Sequence, residues 1–390
     1  MYNIQILNNV AAEGLSVFDK TKYNITAEPV KDPDGIMVRS KPIHDMEFGP
    51  NLKVIARCGA GVNNIPLERC TKLGICVVNA PGGNANAVKE LTVAAIIMTM
   101  RNGFQAMNWV RSLSDEDSAY GKNVVESGKE VFRGPEIMGK SIAIIGVGNV
   151  GSRMAKACHD LGMKVIGYDP YLSHVRQQEL RAYLEFANSY EDAIKGADVV
   201  TVHTPLDEST KHMVDAKSIA LMKDGVYLAN FARGGIVDGD AVCNALESGK
   251  IAGYATDFPT PRMKKMDKVF CTPHLASGTP EAEINCAVMG ARQTRDYIEN
   301  GNIVNSVNLP DVSFARADGD RITIIHENKV GMLGLMTEKV AALGLNIENL
   351  VNKAKEGIAY TILDFNGETP AALAETLQAI DGVIRVRVIK

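Results

Sequence analysis

Apolar runs of strand length recur between helical patterns along most of the chain. The clearest runs are 54–56, 75–78, 142–145, 164–168, 199–202, 226–230 and 251–256. Strands that alternate with helices in this way are typical of a parallel sheet with crossover helices. The pattern therefore predicts an α/β fold.

Two of the intervening helices have readable ends. A helical pattern at 155–161 stops at Gly162, where a left-handed cap suits glycine. A longer helix opens at the segment TPE (279–281), which places a cap, a proline and an acid in the order that a helix start favours. This helix is predicted to end at Gly301.

A stretch of mixed charge with proline and glycine, residues 308–320, interrupts the pattern and is predicted to be a linker. After it the order becomes strand, helix, strand, strand, helix, strand. The predicted elements are 322–326, 332–343, 347–352, 359–365, 370–380 and 383–389. This order is that of the ferredoxin-like βαββαβ motif.

The chain has 390 residues, of which 46% are hydrophobic and 23% charged, and its formal net charge is −4. This length suggests two or three domains, and this charge does not favour a nucleic-acid partner. The amino terminus lacks the basic start and apolar core of a secretion signal, and we find no apolar run of about 18 residues. We expect a soluble, cytoplasmic protein with small-molecule partners and no membrane partner.

Cysteine and histidine show no grouping of the kind that holds a structural metal. The seven cysteines are scattered, mostly among aliphatic residues, and no pair has metal-site spacing. The seven histidines are equally dispersed. We expect reduced core thiols and no metal site.

The motif with the most specific chemistry is GVGNVG (146–151), between a predicted strand and a predicted helix. Gly146 permits a tight turn, Gly148 lets a pyrophosphate approach the backbone, and Gly151 lets the helix pack closely on its strand. The next strand ends in Asp169, whose carboxylate can accept hydrogen bonds from adenosine ribose hydroxyls and would repel a 2′-phosphate. The motif predicts NAD as cofactor.

Four more segments resemble the D-2-hydroxyacid dehydrogenases and occur in the order of that family. They are VHTPL (202–206), NFARGGIVDGDAV (230–242), ATDFP (255–259) and CTPHLASGTPEAE (271–283). Arg39 in VRS, Arg57 in ARCGAGVNNI and the C-terminal βαββαβ part are most similar to the branch that oxidises D-3-phosphoglycerate and carries an ACT domain. The resemblance implies NAD-dependent formation of 3-phosphohydroxypyruvate, the first step of L-serine biosynthesis.

The resemblance also implies three domains. Two are doubly wound parallel-sheet lobes hinged around a cleft: a discontinuous substrate-binding domain, 1–96 with 280–310, and an NAD-binding Rossmann domain, 97–279. The third is a C-terminal ferredoxin-like ACT regulatory domain, 318–390.

Oxidation of a secondary alcohol requires a base for the hydroxyl proton and a cation for the neighbouring carboxylate. By the resemblance, His274 is the base and Arg233 the cation, and both follow predicted strands. Without it, a lone histidine is more often a structural donor. The resemblance assigns cofactor contacts to Asn149, Val150, Thr204, Pro205, Ala232 and Asp257, the last to the nicotinamide carboxamide.

The substrate has a phosphate and a carboxylate that need separate anchors. Arg39 and Arg57 match the phosphate binders of the family, and guanidinium groups suit a phosphate held in a partly dry cleft. Gly59 and Ala60 belong to a turn whose backbone N–H groups suit a carboxylate. Solvated arginines are the alternative interpretation of Arg39 and Arg57.

One position departs from the family. The family pairs its histidine with a glutamate five residues beyond the aspartate that matches Asp257, and Arg262 stands there. An imidazole without a carboxylate on its far nitrogen binds its proton less firmly and is less well oriented. Either Asp257 or Asp267 serves instead, or the loop is displaced.

The C-terminal part is predicted to bind an effector. His326, Asn328 and Asn346 match the serine-binding residues of regulated family members, and their side chains offer the donors and acceptors that a zwitterionic amino acid requires. The alternative is that these asparagines only shape turns. ACT domains commonly pair with one another, so the family resemblance implies a homodimer or homotetramer. It also implies L-serine as a feedback effector.

Two other functions stay open at this stage. One is a different D-2-hydroxyacid dehydrogenase, such as an enzyme that reduces 2-oxoglutarate. The other is a non-catalytic NAD-sensing protein that kept the fold, which Arg262 favours and the presence of both Arg233 and His274 disfavours.

Overall fold

The computed structural model describes residues 1–8, 10–119 and 123–390. Up to residue 84 the elements are β1 (Tyr2–Leu7), α1 (Ala12–Leu15), β2 (Tyr23–Thr26), β3 (Gly35–Val38), β4 (Val54–Arg57), α2 (Leu67–Lys72) and β5 (Cys76–Asn79). From 85 to 186 they are α3 (Ala85–Met100), α4 (Gly103–Ser112), α5 (Asn123–Gly128), β6 (Ser141–Ile145), α6 (Asn149–Asp160), β7 (Lys164–Tyr168), α7 (His174–Leu180) and β8 (Glu185–Phe186).

Helices and strands continue to alternate along the chain up to residue 300. Up to residue 279 they are α8 (Tyr190–Ile194), β9 (Val199–Val202), α9 (Ala216–Leu221), β10 (Val226–Asn230), α10 (Gly239–Ser248), β11 (Ile251–Thr256) and β12 (Val269–Cys271). The last are α11 (Pro280–Asn300), β13 (Arg321–Glu327), α12 (Met332–Ala342), β14 (Ile347–Lys355), β15 (Ile358–Phe365), α13 (Ala371–Gln378) and β16 (Val383–Ile389). The chain divides into two compact units, 1–84 with 280–390 and 85–279.

The first unit contains a parallel sheet in the order β2-β1-β3-β4-β5. Helix α11 packs on β3, β4 and β5. A Cβ added at its Gly290 would lie 3.5 Å from the Cβ of Ala56 in β4. The helix ends at Gly301, in a left-handed conformation with φ 70°, as predicted. These contacts place the helix over the carboxyl ends of the central strands.

The same unit contains a four-stranded antiparallel sheet in the order β14-β15-β13-β16. This confirms the predicted βαββαβ order. Helices α12 and α13 cover one face of the sheet, where Ile322 and Ile324 are buried. Ile325, Tyr360 and Ile362 on the other face share a hydrophobic cluster with residues of α11 and of the parallel sheet. The antiparallel sheet therefore has no core of its own on that side.

A buried ion pair joins the antiparallel sheet to the segments that precede it. The guanidinium of Arg321 donates to both carboxylate oxygens of Asp364, at 2.6 and 2.8 Å, and both side chains are at most 1% exposed. The remaining donors of Arg321 reach the carbonyl oxygens of Asn300, Phe314 and Ala315 at 2.9 to 3.1 Å. Every charge-bearing group of the pair is thus compensated, which is the condition for burying it.

The second unit contains seven parallel strands in the order β12-β11-β10-β9-β6-β7-β8. The order reverses between β6 and β9, the kind of switch point at which open α/β sheets bind ligands. Helix α3 belongs to this unit, and the predicted boundary between residues 96 and 97 falls inside it. Together the three sheets confirm the predicted α/β fold class with two doubly wound lobes and a ferredoxin-like part.

Asp364→Asn tests the buried pair. We expect the free energy of unfolding to fall by about 3–5 kcal/mol, because Arg321 would keep its charge without a counter-ion in a dry site. Chemical denaturation measures this. Asp381→Asn, at an exposed carboxylate, is the control and should change stability by less than about 1 kcal/mol. Equal effects of the two substitutions would contradict the assigned role of the pair.

Candidate active site

The predicted residues of the second unit lie at one edge of its sheet. Five strands that are neighbours in the sheet, β12, β11, β10, β9 and β6, end immediately before or close to His274, Asp257, Arg233, Thr204 and Gly146 respectively. Carboxyl ends of parallel strands point to the same edge, so the structure brings these five positions to a common side of the unit.

The glycine motif forms the predicted turn between β6 and α6. Gly146 is left-handed, with φ 85°, and a Cβ on Gly151 would lie 2.0 Å from the carbonyl oxygen of Gly146. Apart from its two chain neighbours, no heavy atom of the described residues lies within 4 Å of a Cβ built on Gly148, so a ligand can approach the backbone there. Asn149 and Val150 open helix α6, whose first N–H groups attract an anion.

Asp169 holds this turn while it stays within reach of a ligand. Its Oδ2 accepts a hydrogen bond from Val147 N at 2.9 Å, and its Oδ1 accepts one from Tyr171 N at 3.0 Å. A carboxylate can accept further bonds at both oxygens. A cavity of 690 Å³ within this unit is lined by Gly146, Gly148, Asp169, Thr204 and Pro205, among others.

His203 lines the same cavity at the end of β9. Its Nε2 lies 3.0 Å from the hydroxyl oxygen of Thr201. Burial lowers the pKa of the imidazole from 6.5 to about 4, because the charged form would lose its hydration. His203 is therefore neutral at pH 7.

The turn that carries Arg233 is shaped by a buried amide. The side chain of Asn230 accepts a hydrogen bond from Ala232 N at 3.0 Å and donates one to the carbonyl oxygen of Arg233 at 2.9 Å. Asn230 is fully buried, whereas Arg233 is exposed and donates to the carbonyl oxygen of Ala232. Asn230 is not among the predicted site residues, although a polar side chain at the end of an apolar strand is the signal for it.

The turn that carries His274 is closed by Asp257. The Asp257 carboxylate, 2% exposed, accepts hydrogen bonds from Leu275 N at 3.0 Å, from Ala276 N at 2.8 Å and from the hydroxyl of Thr272. Its carbonyl oxygen accepts one from His274 N at 3.1 Å. A carboxylate has about four acceptor positions. Three are used by the turn, which leaves room for one more donor.

His274 itself is exposed and has a left-handed backbone, with φ 51°. Non-glycine residues rarely adopt this conformation, and they do so more often at functional sites. The imidazole packs on the ring of Phe258, with centroids 4.9 Å apart. Among the described residues of its own unit, no carboxylate hydrogen-bonds to it, and this includes the two candidates, Asp257 and Asp267.

Arg262 is engaged elsewhere in the unit. Its Nη2 lies 2.8 Å from a carboxylate oxygen of Glu247 and 2.9 Å from the amide oxygen of Asn244, both on helix α10. The residue that departs from the family pattern thus fixes the loop after β11 to a neighbouring helix.

The first unit holds the predicted substrate anchors. Arg57 ends β4, and Arg39 follows Val38, the residue that pairs with Arg57 in β3. A Cβ on Gly59 (φ 153°) would lie 1.4 Å from Nη1 of Arg57, so the guanidinium packs directly on the glycine. The carbonyl oxygen of Ala60 accepts a hydrogen bond from Asn79 at 2.6 Å, which fixes the turn.

Arg39 already has an anionic partner. Its Nη2 lies 2.7 Å from Oε1 of Glu283 in the first turn of α11. Glu283 is not among the predicted site residues, although it ends the segment 271–283 that resembles the family.

The predicted effector residues differ in exposure. His326 is 2% exposed, with Nδ1 2.8 Å from the carbonyl oxygen of Glu327 and Nε2 2.9 Å from the hydroxyl of Thr361. Asn328 and Asn346 are exposed. The imidazole of His326 is thus committed to contacts within the sheet, and only the two amides are open to solvent.

Three further features of the described residues can be stated. No three His, Cys, Asp or Glu side chains among them are grouped so that they could hold a metal ion. All seven cysteines are free, and all except Cys271 are buried. None of the described helices is long and apolar enough to span a membrane.

Gly59→Ala tests the packing of Arg57. The new Cβ would displace the guanidinium, so we expect the affinity for inorganic phosphate, measured by calorimetry, to fall several-fold. Gly334→Ala is the control, because a Cβ on that helical glycine meets no described atom within 4 Å other than its chain neighbours and the backbone of its own helix. Unchanged phosphate binding in a folded Gly59→Ala protein would show that Arg57 is not an anion anchor.

His203 predicts a pH dependence of stability. Between pH 6.5 and 4 the unfolded chain protonates this histidine and the folded chain does not. Stability is therefore lost as the pH falls through this range, by up to about 3 kcal/mol from this group. Between pH 7 and 4, the free energy of unfolding should fall less in His203→Gln than in the unsubstituted protein. His159→Gln, at a half-exposed ring, should show the same fall as the unsubstituted protein. Equal slopes in all three proteins would refute the assignment.

Comparison with known proteins places this geometry in a family. The sequence profile of the D-isomer specific 2-hydroxyacid dehydrogenase NAD binding domain matches residues 93–276. D-3-phosphoglycerate dehydrogenase of Haemophilus influenzae is 32% identical over 377 residues, which are 93% of this chain and 88% of that protein. The Escherichia coli K12 enzyme of the same name is 31% identical over 356 residues, 84% of this chain and 79% of that protein.

Solved structures agree with the sequence comparisons. NAD⁺-bound 3-phosphoglycerate dehydrogenase of Entamoeba histolytica superposes with a TM-score of 0.63 at 25% identity, over 79% of this chain and 98% of that structure. Apo D-mandelate dehydrogenase of Rhodotorula graminis, 21% identical with a TM-score of 0.67 over 81% of this chain and 99% of that structure, shares the fold. The chain belongs to the D-isomer specific 2-hydroxyacid dehydrogenase family.

Proposed function

We propose that this chain oxidises D-3-phosphoglycerate to 3-phosphohydroxypyruvate with NAD, as the first step of L-serine biosynthesis in the cytoplasm. Within the family, the observation that carries this choice of substrate is the placement of Arg39 and Arg57 at the ends of two neighbouring strands. Two guanidinium groups at one sheet edge suit a dianionic phosphate. The relatives named D-3-phosphoglycerate dehydrogenase support the same choice.

The glycine turn and Asp169 fit NAD. Gly148 is open to a pyrophosphate, and the start of helix α6, with Asn149 and Val150, offers N–H donors to it. Asp169 has acceptor capacity left for ribose hydroxyls, and its charge disfavours a 2′-phosphate. Thr204, Pro205 and Ala232 line or adjoin the same sheet edge. When bound, NAD supplies the hydride acceptor.

The reacting end of the substrate is assigned to two side chains. His274 accepts the proton of the substrate hydroxyl, and Arg233 binds the neighbouring carboxylate and stabilises charge on the developing carbonyl oxygen. Gly59 and Ala60 provide further backbone contacts to the substrate. His274 and Arg233 are both exposed, yet a buried polar side chain fixes the turn that carries each of them. Binding of the substrate would explain why these turns are fixed, which supports both roles.

Asp257 has two functions in this proposal. It holds the His274 turn through three hydrogen bonds, and its remaining acceptor position can take the nicotinamide carboxamide. Arg262 leaves His274 without the glutamate of the family pattern. The base then depends on the backbone turn and on Phe258 for its orientation.

The C-terminal part is proposed to bind L-serine through Asn328 and Asn346. His326 can join them only if its contacts with Glu327 and Thr361 are exchanged for contacts with the ligand, since both ring nitrogens are occupied. Such an exchange would give serine two states to distinguish, which feedback requires. A homodimer or homotetramer is proposed because family members pair their ACT domains.

His274→Asn tests the catalytic assignment. We expect kcat for D-3-phosphoglycerate to fall by about 10²–10⁴-fold, the usual contribution of a general base, with NAD affinity unchanged. The measurement is NADH formation, together with a fluorescence titration of the dinucleotide. His159→Asn, at a half-exposed histidine of the same unit, should leave both unchanged.

The same assay on the unsubstituted protein distinguishes the proposed function from the two alternative functions. Faster turnover of D-2-hydroxyglutarate than of D-3-phosphoglycerate would replace the proposed substrate. Dinucleotide binding without turnover of either compound would make the chain a binding protein. Full activity of His274→Asn would overturn the role of His274 alone.

A further inference from the structure

Glu283 occupies a position that the dehydrogenase chemistry does not explain. Its carboxylate lies 2.7 Å from the guanidinium of Arg39, and the side chains of the two residues are 36% and 32% exposed. Arg39 is one of the two cations that the proposed function assigns to the substrate phosphate. The protein therefore brings its own anion to the site where the substrate anion is expected.

The helix that carries Glu283 packs on the parallel sheet of its own unit. Two turns after Glu283, on the same face of α11, Gly290 packs within ordinary contact distance of Ala56 and Cys58, which flank Arg57. The first turn of α11 accordingly stays over the edge where β3 and β4 end. Glu283 reaches Arg39 from a packed helix, not from a loop.

We propose that Glu283 is an internal competitor of the substrate's distal anion. The proposal rests on the proposed function, because it requires Arg39 and Arg57 to hold that anion. With Glu283 ionised, these three side chains carry a net charge of one positive unit instead of two. A phosphate must displace the carboxylate from Arg39 or bind beside it, and both cost affinity.

The cost depends on the charge of the ligand. Displacement of Glu283 from Arg39 costs the same for any anion that takes its place. Repulsion between a remaining carboxylate and the ligand grows in proportion to the ligand's charge, so a phosphate dianion is opposed more than a carboxylate monoanion. Glu283 thus specifically loosens the binding of the phosphorylated substrate, which favours release of the phosphorylated product.

The test compares two substitutions in the same helical turn. Glu283→Gln removes the competing charge and keeps the shape of the side chain. Glu281→Gln makes the same change of net charge at an exposed position of the same first turn. It therefore controls for general electrostatics and for the effect on the helix amino terminus. Affinities for D-3-phosphoglycerate and D-2-hydroxyglutarate are measured by calorimetry, and KM and kcat by NADH formation at fixed ionic strength.

We expect Glu283→Gln to tighten D-3-phosphoglycerate binding by about two- to five-fold, the range of a partly exposed ion pair, and to lower KM without raising kcat. The gain for D-2-hydroxyglutarate should be smaller, and Glu281→Gln should change neither by more than about 1.5-fold.

Unchanged or weaker D-3-phosphoglycerate binding in Glu283→Gln would overturn the proposal, since Glu283 would then be neutral or would orient Arg39 for the substrate. An equal gain in Glu281→Gln would overturn it as well. The proposed function fails separately, and only if the original chain does not oxidise D-3-phosphoglycerate.

Discussion

The chemistry of this protein depends on the shared direction of its parallel strands. All carboxyl ends of a parallel sheet meet at one edge, so residues distant in sequence are gathered without any contact between their helices. In the second unit this edge gathers Gly146, Thr204, Arg233, Asp257 and His274 from five neighbouring strands. In the first unit it places Arg39 beside Arg57. Each set follows from strand order alone.

Most of the fold could be predicted from the sequence because its strands are short apolar runs between good helix signals. Strands 164–168, 199–202, 226–230 and 251–256 have the predicted bounds. Helix α6 begins at Asn149, inside the glycine motif and not after it as predicted, because the residues of the motif have no apolar periodicity. The linker prediction at 308–320 did not reveal that the two flanking sheets share a hydrophobic cluster, since shared burial leaves no local pattern.

The candidate site could be predicted less completely. Motifs identify the residues that are proposed to face ligands, such as Gly148 and His274, because ligand chemistry restricts residue type. The polar side chains that hold the turns of Arg233 and His274 are less conspicuous. Asn230 is marked only by its polar character at the end of an apolar strand, and Thr272 is recognisable only from its hydrogen bond to Asp257. Glu283 is a surface acid in sequence, and only the packing of α11 brings it to Arg39.

The C-terminal part is not an independent module, because one face of its antiparallel sheet shares a hydrophobic cluster with the rest of the first unit. If the chain were cut near residue 310, the apolar side chains beneath Ile325 and Ile362 would face water, and the carbonyl oxygen of Gly301 would lose the hydroxyl of Tyr360 that donates to it at 2.6 Å. The amino-terminal lobe would then expose an apolar patch that favours aggregation. Neither the C-terminal part nor the amino-terminal lobe can therefore be exchanged alone, because the buried contacts that join them would have to be rebuilt.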